Sequence, residues 1–154
     1  MSEPSAPSEP SESSRARHVE PISVRWGDMD VMGHVNNAKY FTYCESARMS
    51  YFRVVGMDDH REGGRFGPAL AAAQLNFRRQ VRYPAELAVL TRVSEIGRTS
   101  FRMEYEIVLQ DGGGPGERAA EGFGVIVWVD YASGRPTPLP AGLRSAIERF
   151  EGRA

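Results

Sequence analysis

Val24-Arg25-Trp26-Gly27-Asp28-Met29-Asp30-Val31-Met32-Gly33-His34-Val35-Asn36-Asn37-Ala38-Lys39-Tyr40 is the stretch that decides how this chain folds. A β-type run ends in a tight polar loop holding two carboxylates, a glycine and a histidine, and the loop feeds directly into a helix start. The first turn of a helix carries backbone N–H groups with no helical partner, and the macrodipole adds partial positive charge there. The loop therefore sets a carboxylate beside unsatisfied amide donors. A base or nucleophile next to a cradle for an oxyanion is what attack on an activated acyl group requires.

Working outward, Val19 to Trp26 reads as a first strand ended by Gly27. The helix is expected to start near Ala38 with Asn36 or Asn37 as its cap. Tyr40, Cys44, Ala47, Tyr51 and Val54 recur at helical spacing and form one apolar face. Gly56 is a natural stop, and the polar, glycine-rich segment from Met57 to Gly67 reads as a loop. Four strand-like runs follow. Ala71, Ala73, Leu75 and Phe77 alternate with Ala72, Gln74, Asn76 and Arg78, until Tyr83-Pro84-Ala85 breaks the pattern. Leu87 to Ile96 is more evenly apolar and should lie in the sheet interior. Phe101, Met103, Tyr105, Ile107 and Leu109 alternate with polar residues. Asp111 to Gly116 reads as a hairpin tip. Ala119 to Asp130 places Phe123, Val125, Val127 and Val129 on one face. Leu143, Ile147 and Phe150 predict a short terminal helix after a proline-rich link. One strand, one long helix and four long strands make an α+β domain whose five-stranded antiparallel sheet is covered on one face. Long strands with open edges predict an oligomer.

A chain of 154 residues favours one domain with a sizeable core. Net charge is -1, so there is no electrostatic case for nucleic acid or an acidic membrane surface. No apolar run is long enough for a membrane span. The single cysteine, Cys44, excludes an internal disulfide and a cysteine-built zinc site, and fits a cytoplasmic, reducing setting. Residues 1–18, rich in Ser, Pro and Glu, read as a disordered tail ahead of a domain over 19–154.

Gly27-Asp28-x-Asp30-x-x-Gly33-His34-Val35-Asn36-Asn37-x-x-Tyr40 resembles the signature of hotdog-fold acyl-CoA thioesterases of the 4-hydroxybenzoyl-CoA thioesterase-like family. Glu45-Ser46-Ala47-Arg48 and Arg82-Tyr83-Pro84-Ala85-Glu86-Leu87 are similar to that family's helix and strand-turn-strand segments. The resemblance implies a long central helix wrapped by a curled antiparallel sheet. It also implies dimers that join their sheets edge to edge, with sites at the interface, and pairing of dimers into tetramers. It places the catalytic aspartate on Asp30 and the oxyanion donor on a backbone N–H at or near Asn37. Gly33 becomes the glycine that lets a thioester approach the main chain. The substrate is then an acyl-CoA or an acyl-carrier-protein thioester, and no bound cofactor is required.

Each of these residues also has a plainer role. Asp30 is a residue type common in turns. Asp28 reads as structural, its carboxylate anchoring loop amides. His34 either orients substrate, donates to Asp30 or satisfies a neighbouring carbonyl. Glu45, on the helix, reads as an ion-pair partner of Arg48 or Arg82. Cys44 reads as a buried small hydrophobe with no base beside it. Arg78, Arg79 and Arg82 cluster near a strand end, where guanidinium forks suit coenzyme A phosphates or an ordinary solvated surface. Tyr40 joins the candidate substrate-binding residues. A calcium loop over Asp28-x-Asp30-x-x-Gly33 fails, because its twelfth position is Lys39 and not a bidentate Glu. A hydratase of the MaoC type is disfavoured: its Asp-x-Asn-Pro-x-His pattern has four residues between the pair, and Asp30 and His34 have three. A non-catalytic acyl-thioester binding protein is the remaining alternative.

Overall fold

The structure, a computed structural model, describes residues 16–111 and 114–153. Most of the tail, residues 1–15, and the hairpin tip at Gly112 and Gly113 lie outside the described residues. The strands are β1 (His18–Ser23), β2 (Phe66–Phe77), β3 (Glu86–Ile96), β4 (Ser100–Asp111), β5 (Gly114–Asp130) and β6 (Arg135–Pro136). The helices are α1 (Asn37–Val54) and α2 (Ala141–Phe150). All strands pair antiparallel in one curled sheet of order β1-β3-β4-β5-β2, with β6 adding a two-residue pairing to β5. The sheet thus has six strands where the sequence pattern predicts five, because the proline-rich link includes the short pairing of β6.

The first strand is shorter than predicted. It opens at His18 and stops at Ser23. Val24 then donates its N–H to the Ala85 carbonyl at 3.0 Å, and Trp26–Asp28 form a 3-10 turn. That turn depends on a bond from the Arg25 amide to the Asp28 carboxylate, a local preference that a β-type hydrophobic pattern does not reveal.

Helix α1 lies on one face of the sheet. Asn36 caps it, its side-chain oxygen accepting from the Ala38 amide at 3.0 Å. Gly56 follows the last turn with φ 69°, a left-handed conformation that glycine adopts without strain. Tyr40, Cys44, Ala47 and Tyr51 are buried as expected, but Val54 is 53% exposed and Val55 is buried in its place. The helix ends at Val54, so the chain turns before the predicted stripe completes. Tyr43, Arg48 and Phe52 are buried as well. Beneath α1, Leu87, Val89, Val93, Phe101, Met103, Tyr105, Ile107, Ile126 and Trp128 make the core. Strand β3 is interior, flanked by β1 and β4, and is buried on both faces from Leu87 to Leu90. Ala88, Leu90 and Val108 form a small second cluster on the outer face, against which Ala16 packs.

The predicted faces of β4 hold, with Phe101, Met103, Tyr105 and Ile107 inward. On β5 the stripe Phe123, Val125, Val127 and Val129 is the outward one, half-buried, and Ile126 and Trp128 face the core. The inward row carries glycine at 122 and 124 because the neighbours are close. A side chain at Gly122 would collide with the Gln74 carbonyl, and one at Gly124 would press on Leu70 and Tyr105.

At its C-terminal end α1 is clasped by the end of the chain. Leu143 and Ile147 of α2 are fully buried, and the Phe150 ring meets Tyr51 edge-on at 5.2 Å. Just beyond α2, the Glu151 carboxylate accepts the Tyr51 hydroxyl and the Val93 amide, each at 2.7 Å. That amide lies where the β3–β4 register shifts between Val93 and Glu95. Arg153 donates to the Val93 and Ser94 carbonyls beside it. Burial and the bond to Glu151 both push the Tyr51 phenol upward, so it remains a donor.

Candidate active site

The loop between β1 and α1 is held at three places. Asp28 is only 2% exposed, and a buried carboxylate must be hydrogen-bonded. It accepts the Tyr43 hydroxyl at 2.7 Å and the Arg25 amide at 3.1 Å, with the Arg25 guanidinium 3.4 Å away. Burial works to raise the Asp28 carboxyl, but these donors outweigh it and hold the group below the usual carboxylate range. The Asn36 amide donates to the Asp28 carbonyl at 2.9 Å, and Met29 bridges Val35. The Val35 amide donates to the Val81 carbonyl at 2.8 Å, which ties the loop to the β2–β3 connection. Asp28 is therefore an anchor, as the sequence reading has it. Its partner Tyr43 escaped that reading, although its position three residues after Tyr40 on α1 is the signal that places it near the loop.

Between these fixed points Asp30 sits at the head of an exposed turn. Its amide donates to the His34 carbonyl and its carbonyl accepts the Gly33 amide, both at 3.0 Å. Gly33 has φ 78°, which this turn requires, and a Cβ built there would meet nothing within 4 Å. One Asp30 carboxylate oxygen, Oδ1, accepts the Met32 amide at 2.9 Å. Among the described residues Oδ2 has no hydrogen-bond donor.

The helix start supplies the second half of the site. Asn36 accepts from Ala38 with its side chain and from Lys39, at 2.8 Å, with its carbonyl. The Asn37 amide, the first of the helix, donates to no group among the described residues. Asp30, His34, Asn37, Tyr40, Phe77, Arg78 and Arg79 line one cavity of about 430 Å³, together with Met32, Val35 and Gln80. Its floor is aromatic: Tyr40 is buried and meets Phe77 edge-on at 5.3 Å. Phe77 and Gln80 are lining residues that the sequence reading missed.

A second groove of about 690 Å³ adjoins it and shares His34, Arg79 and Gln80. Arg82 lies there, its Nη2 3.2 Å from His34 Nε2. Arg78 pairs with Glu121, its Nε 2.7 Å from the carboxylate, and Arg79 pairs with Glu117. The structure thus brings Asp30, His34, Asn37, Tyr40, Arg78 and Arg79 into one cavity and puts Arg82 in the next, while Gly33 shapes the turn. Glu45 lies outside both, 64% exposed along its side chain and 4.0 Å from Arg48. Arg48 in turn donates to the Tyr105 hydroxyl at 3.2 Å. Cys44 is buried on the inner face of α1, and burial pushes its thiol up to about 12 against the opposing pull of Arg48.

The chain matches the family described as the thioesterase-like superfamily over residues 24–147, from the end of the first strand to the terminal helix. It belongs to that family. Thioester hydrolysis is the activity this membership carries, and the hotdog fold is its architecture. The chain is 32% identical over 136 residues to the chloroplastic acyl-acyl carrier protein thioesterase ATL2 of Arabidopsis thaliana, covering 87% of this chain and 70% of the relative. It is 33% identical over 84 residues to YsmA of Bacillus subtilis, where the match spans only 56% of the relative's length. It is also similar to a thioesterase from Thermus thermophilus whose crystal structure holds coenzyme A and zinc. That likeness has a TM-score of 0.76 and 37% identity, and covers 90% of this chain and 97% of that one. Among the described residues no helix is long and apolar enough to cross a membrane.

Proposed function

We propose that this protein is an acyl-CoA thioesterase that hydrolyses an acyl thioester to a free carboxylic acid and coenzyme A, with Asp30 as base or nucleophile. One observation carries the reading. Among the described residues Asp30 has one carboxylate oxygen without a donor, and it lines the same cavity as Asn37, whose amide, the first of α1, donates to no described group. In this reading the free oxygen attacks the thioester carbonyl, or takes a proton from a water that does. The carbonyl oxygen gains negative charge, and the Asn37 amide at the positive end of α1 stabilises it. The carbon–sulfur bond then breaks and the thiolate leaves. Where Asp30 itself attacks, water cleaves the resulting anhydride. No bound cofactor takes part.

The acyl group lies on the aromatic floor of Tyr40 and Phe77, and Gly33 leaves the approach to the main chain open. The coenzyme phosphates lie along the groove of Arg79 and Arg82 with Arg78 at its head, since planar guanidinium donors suit phosphate oxygens. The coenzyme A held by the Thermus thermophilus relative supports coenzyme A as the carrier of the acyl group. The name of the Arabidopsis relative makes a carrier-protein thioester the alternative donor of the same acyl group. The edge strands β1 and β2 serve as pairing edges for a homodimer or homotetramer in which α1 lies at the centre of each wrapped sheet. We place the catalytic domain over residues 19–154 and the protein in the cytoplasm, a setting that suits its unpaired buried Cys44.

The test is release of free thiol from a panel of acyl-CoAs, aromatic and short to long aliphatic, by the wild type and Asp30→Asn side by side. Turnover by the wild type alone supports the reading and ranks the acyl classes. Equal turnover by both removes Asp30 from the mechanism. No turnover with any acyl-CoA, followed by turnover of an acyl-carrier protein, assigns the carrier-linked substrate. Binding without turnover of either makes the protein an acyl-thioester binding protein.

A further inference from the structure

His34 lines both the Asp30 cavity and the arginine groove, and its Nε2 faces the Arg82 guanidinium at 3.2 Å. A guanidinium has only donors and keeps its charge in proteins. The ring nitrogen that meets it must therefore be an acceptor. A neutral imidazole has one N–H, so the proton belongs on Nδ1. We infer that Arg82 is a positioning residue: its contact with Nε2 holds His34 as the neutral Nδ1–H tautomer, so the ring serves the bound thioester as a hydrogen-bond donor and not as a base.

The surrounding geometry supports a role in the site. The His34 carbonyl accepts the Asp30 amide, so the ring belongs to the same turn as the carboxylate. The Val35–Val81 bond fixes the segment that carries Arg82 against the segment that carries His34. Val81 is 2% exposed, so this tie is buried. Arg78 and Arg79 face glutamates, whereas Arg82 faces the imidazole. With Nε2 occupied, general-base work stays with Asp30. The donor role rests on the thioesterase reading; the tautomer does not.

Two measurements on the full chain separate them. The first is the long-range proton–nitrogen NMR spectrum of 15N-histidine-labelled protein, in which only three histidines appear. A His34→Asn sample assigns the His34 pattern. Wild type and Arg82→Lys are expected to show the Nδ1–H pattern, and Arg82→Ala a shift to the Nε2–H form. An Nε2–H or doubly protonated ring in the wild type overturns the inference. The second is steady-state kinetics. His34→Asn, whose amide nitrogen falls near Nδ1, should retain more kcat than His34→Gln. Arg82→Ala should lower kcat about five- to tenfold, Arg82→Lys should restore part of it, and Arg82→Ala should add nothing to the loss in His34→Asn. An equal loss in both backgrounds, or one confined to KM, overturns it, because Arg82 would then act on substrate directly. An Nδ1–H ring in a protein that hydrolyses no thioester refutes the donor role together with the thioesterase reading, while a wrong tautomer in an active enzyme refutes this inference alone.

Discussion

The two ends of α1 each bring a carboxylate against backbone amides, and they use it in opposite ways. At the C-terminal end Glu151 accepts both the Tyr51 hydroxyl and the Val93 amide, with Arg153 bonded to the carbonyls alongside. At the N-terminal end Asp30 accepts one amide, from Met32, and lines a cavity. Asp28, two residues earlier and buried, resembles Glu151 in being met by a phenol and an amide. Asp28 and Glu151 are each met by a phenol and a main-chain amide of their own chain, the environment of a structural carboxylate. Asp30 has a single such bond and lines a cavity, which is the basis for proposing it as the residue that meets the substrate.

The sharpest way to break this contrast is to remove the charge at each position. Asp30→Asn should lower kcat by about 10²–10⁴-fold with an unchanged urea midpoint. A normal kcat would erase the distinction between the two ends. Glu151→Gln should do the reverse. It weakens charge-assisted bonds to Tyr51 and Val93 and should cost about 2–3 kcal/mol of unfolding free energy, read from urea titration, with kcat per folded molecule preserved.

Asp28→Asn should behave like Glu151→Gln and not like Asp30→Asn, with a loss of about 1–3 kcal/mol. Its pH dependence sharpens the point. The folded Asp28 carboxyl lies below its unfolded value of about 3.9. Its contribution is therefore complete above that value and lost as pH falls through the folded one. The stability gap between wild type and Asp28→Asn should be constant near neutral pH and narrow below about pH 4. A gap that widens on acidification would show that the donors around Asp28 do not favour its charged form.

The smallest effects distinguish two adjacent residues. Asn36→Ala removes the α1 cap and should cost about 1 kcal/mol. Asn37→Ala keeps the main-chain N–H and should fall within about 0.5 kcal/mol, with kcat near that of the wild type. A large kcat loss in Asn37→Ala would assign the work to the side chain and not to the amide.

Local features were legible in the sequence and contacts between distant segments were not. The strand–loop–helix order, the α1 cap and the Gly56 stop follow from residues within a few positions of one another. The nomination of Asp30 also comes from one loop, through the family resemblance that its motif carries. The failures share a cause. The end of β1 at Ser23 follows from the Arg25–Asp28 turn and the bond to Ala85, a residue far along the chain. Periodicity put Val54 on the buried face of α1, but the chain turns there and Val55 takes the place. The sequence puts the valine row of β5 on one face without saying which side is buried; the glycines of the opposite row mark the inward side, because only they fit beneath Gln74 and Tyr105. The pairing of Arg82 with His34 crosses 48 positions and has no local signature.

The burial of Cys44 has a practical consequence. Thiol-capturing dyes react with thiolates, and the native protein offers none near neutral pH, because its only sulfhydryl is enclosed in the helix–sheet core with its ionisation pushed to about 12. In a continuous assay of thioester hydrolysis the colour developed by native enzyme therefore counts the released thiol alone. With substrate left out, slow colour development counts openings of the core, so one reagent reports both turnover and the breathing of α1 against its sheet.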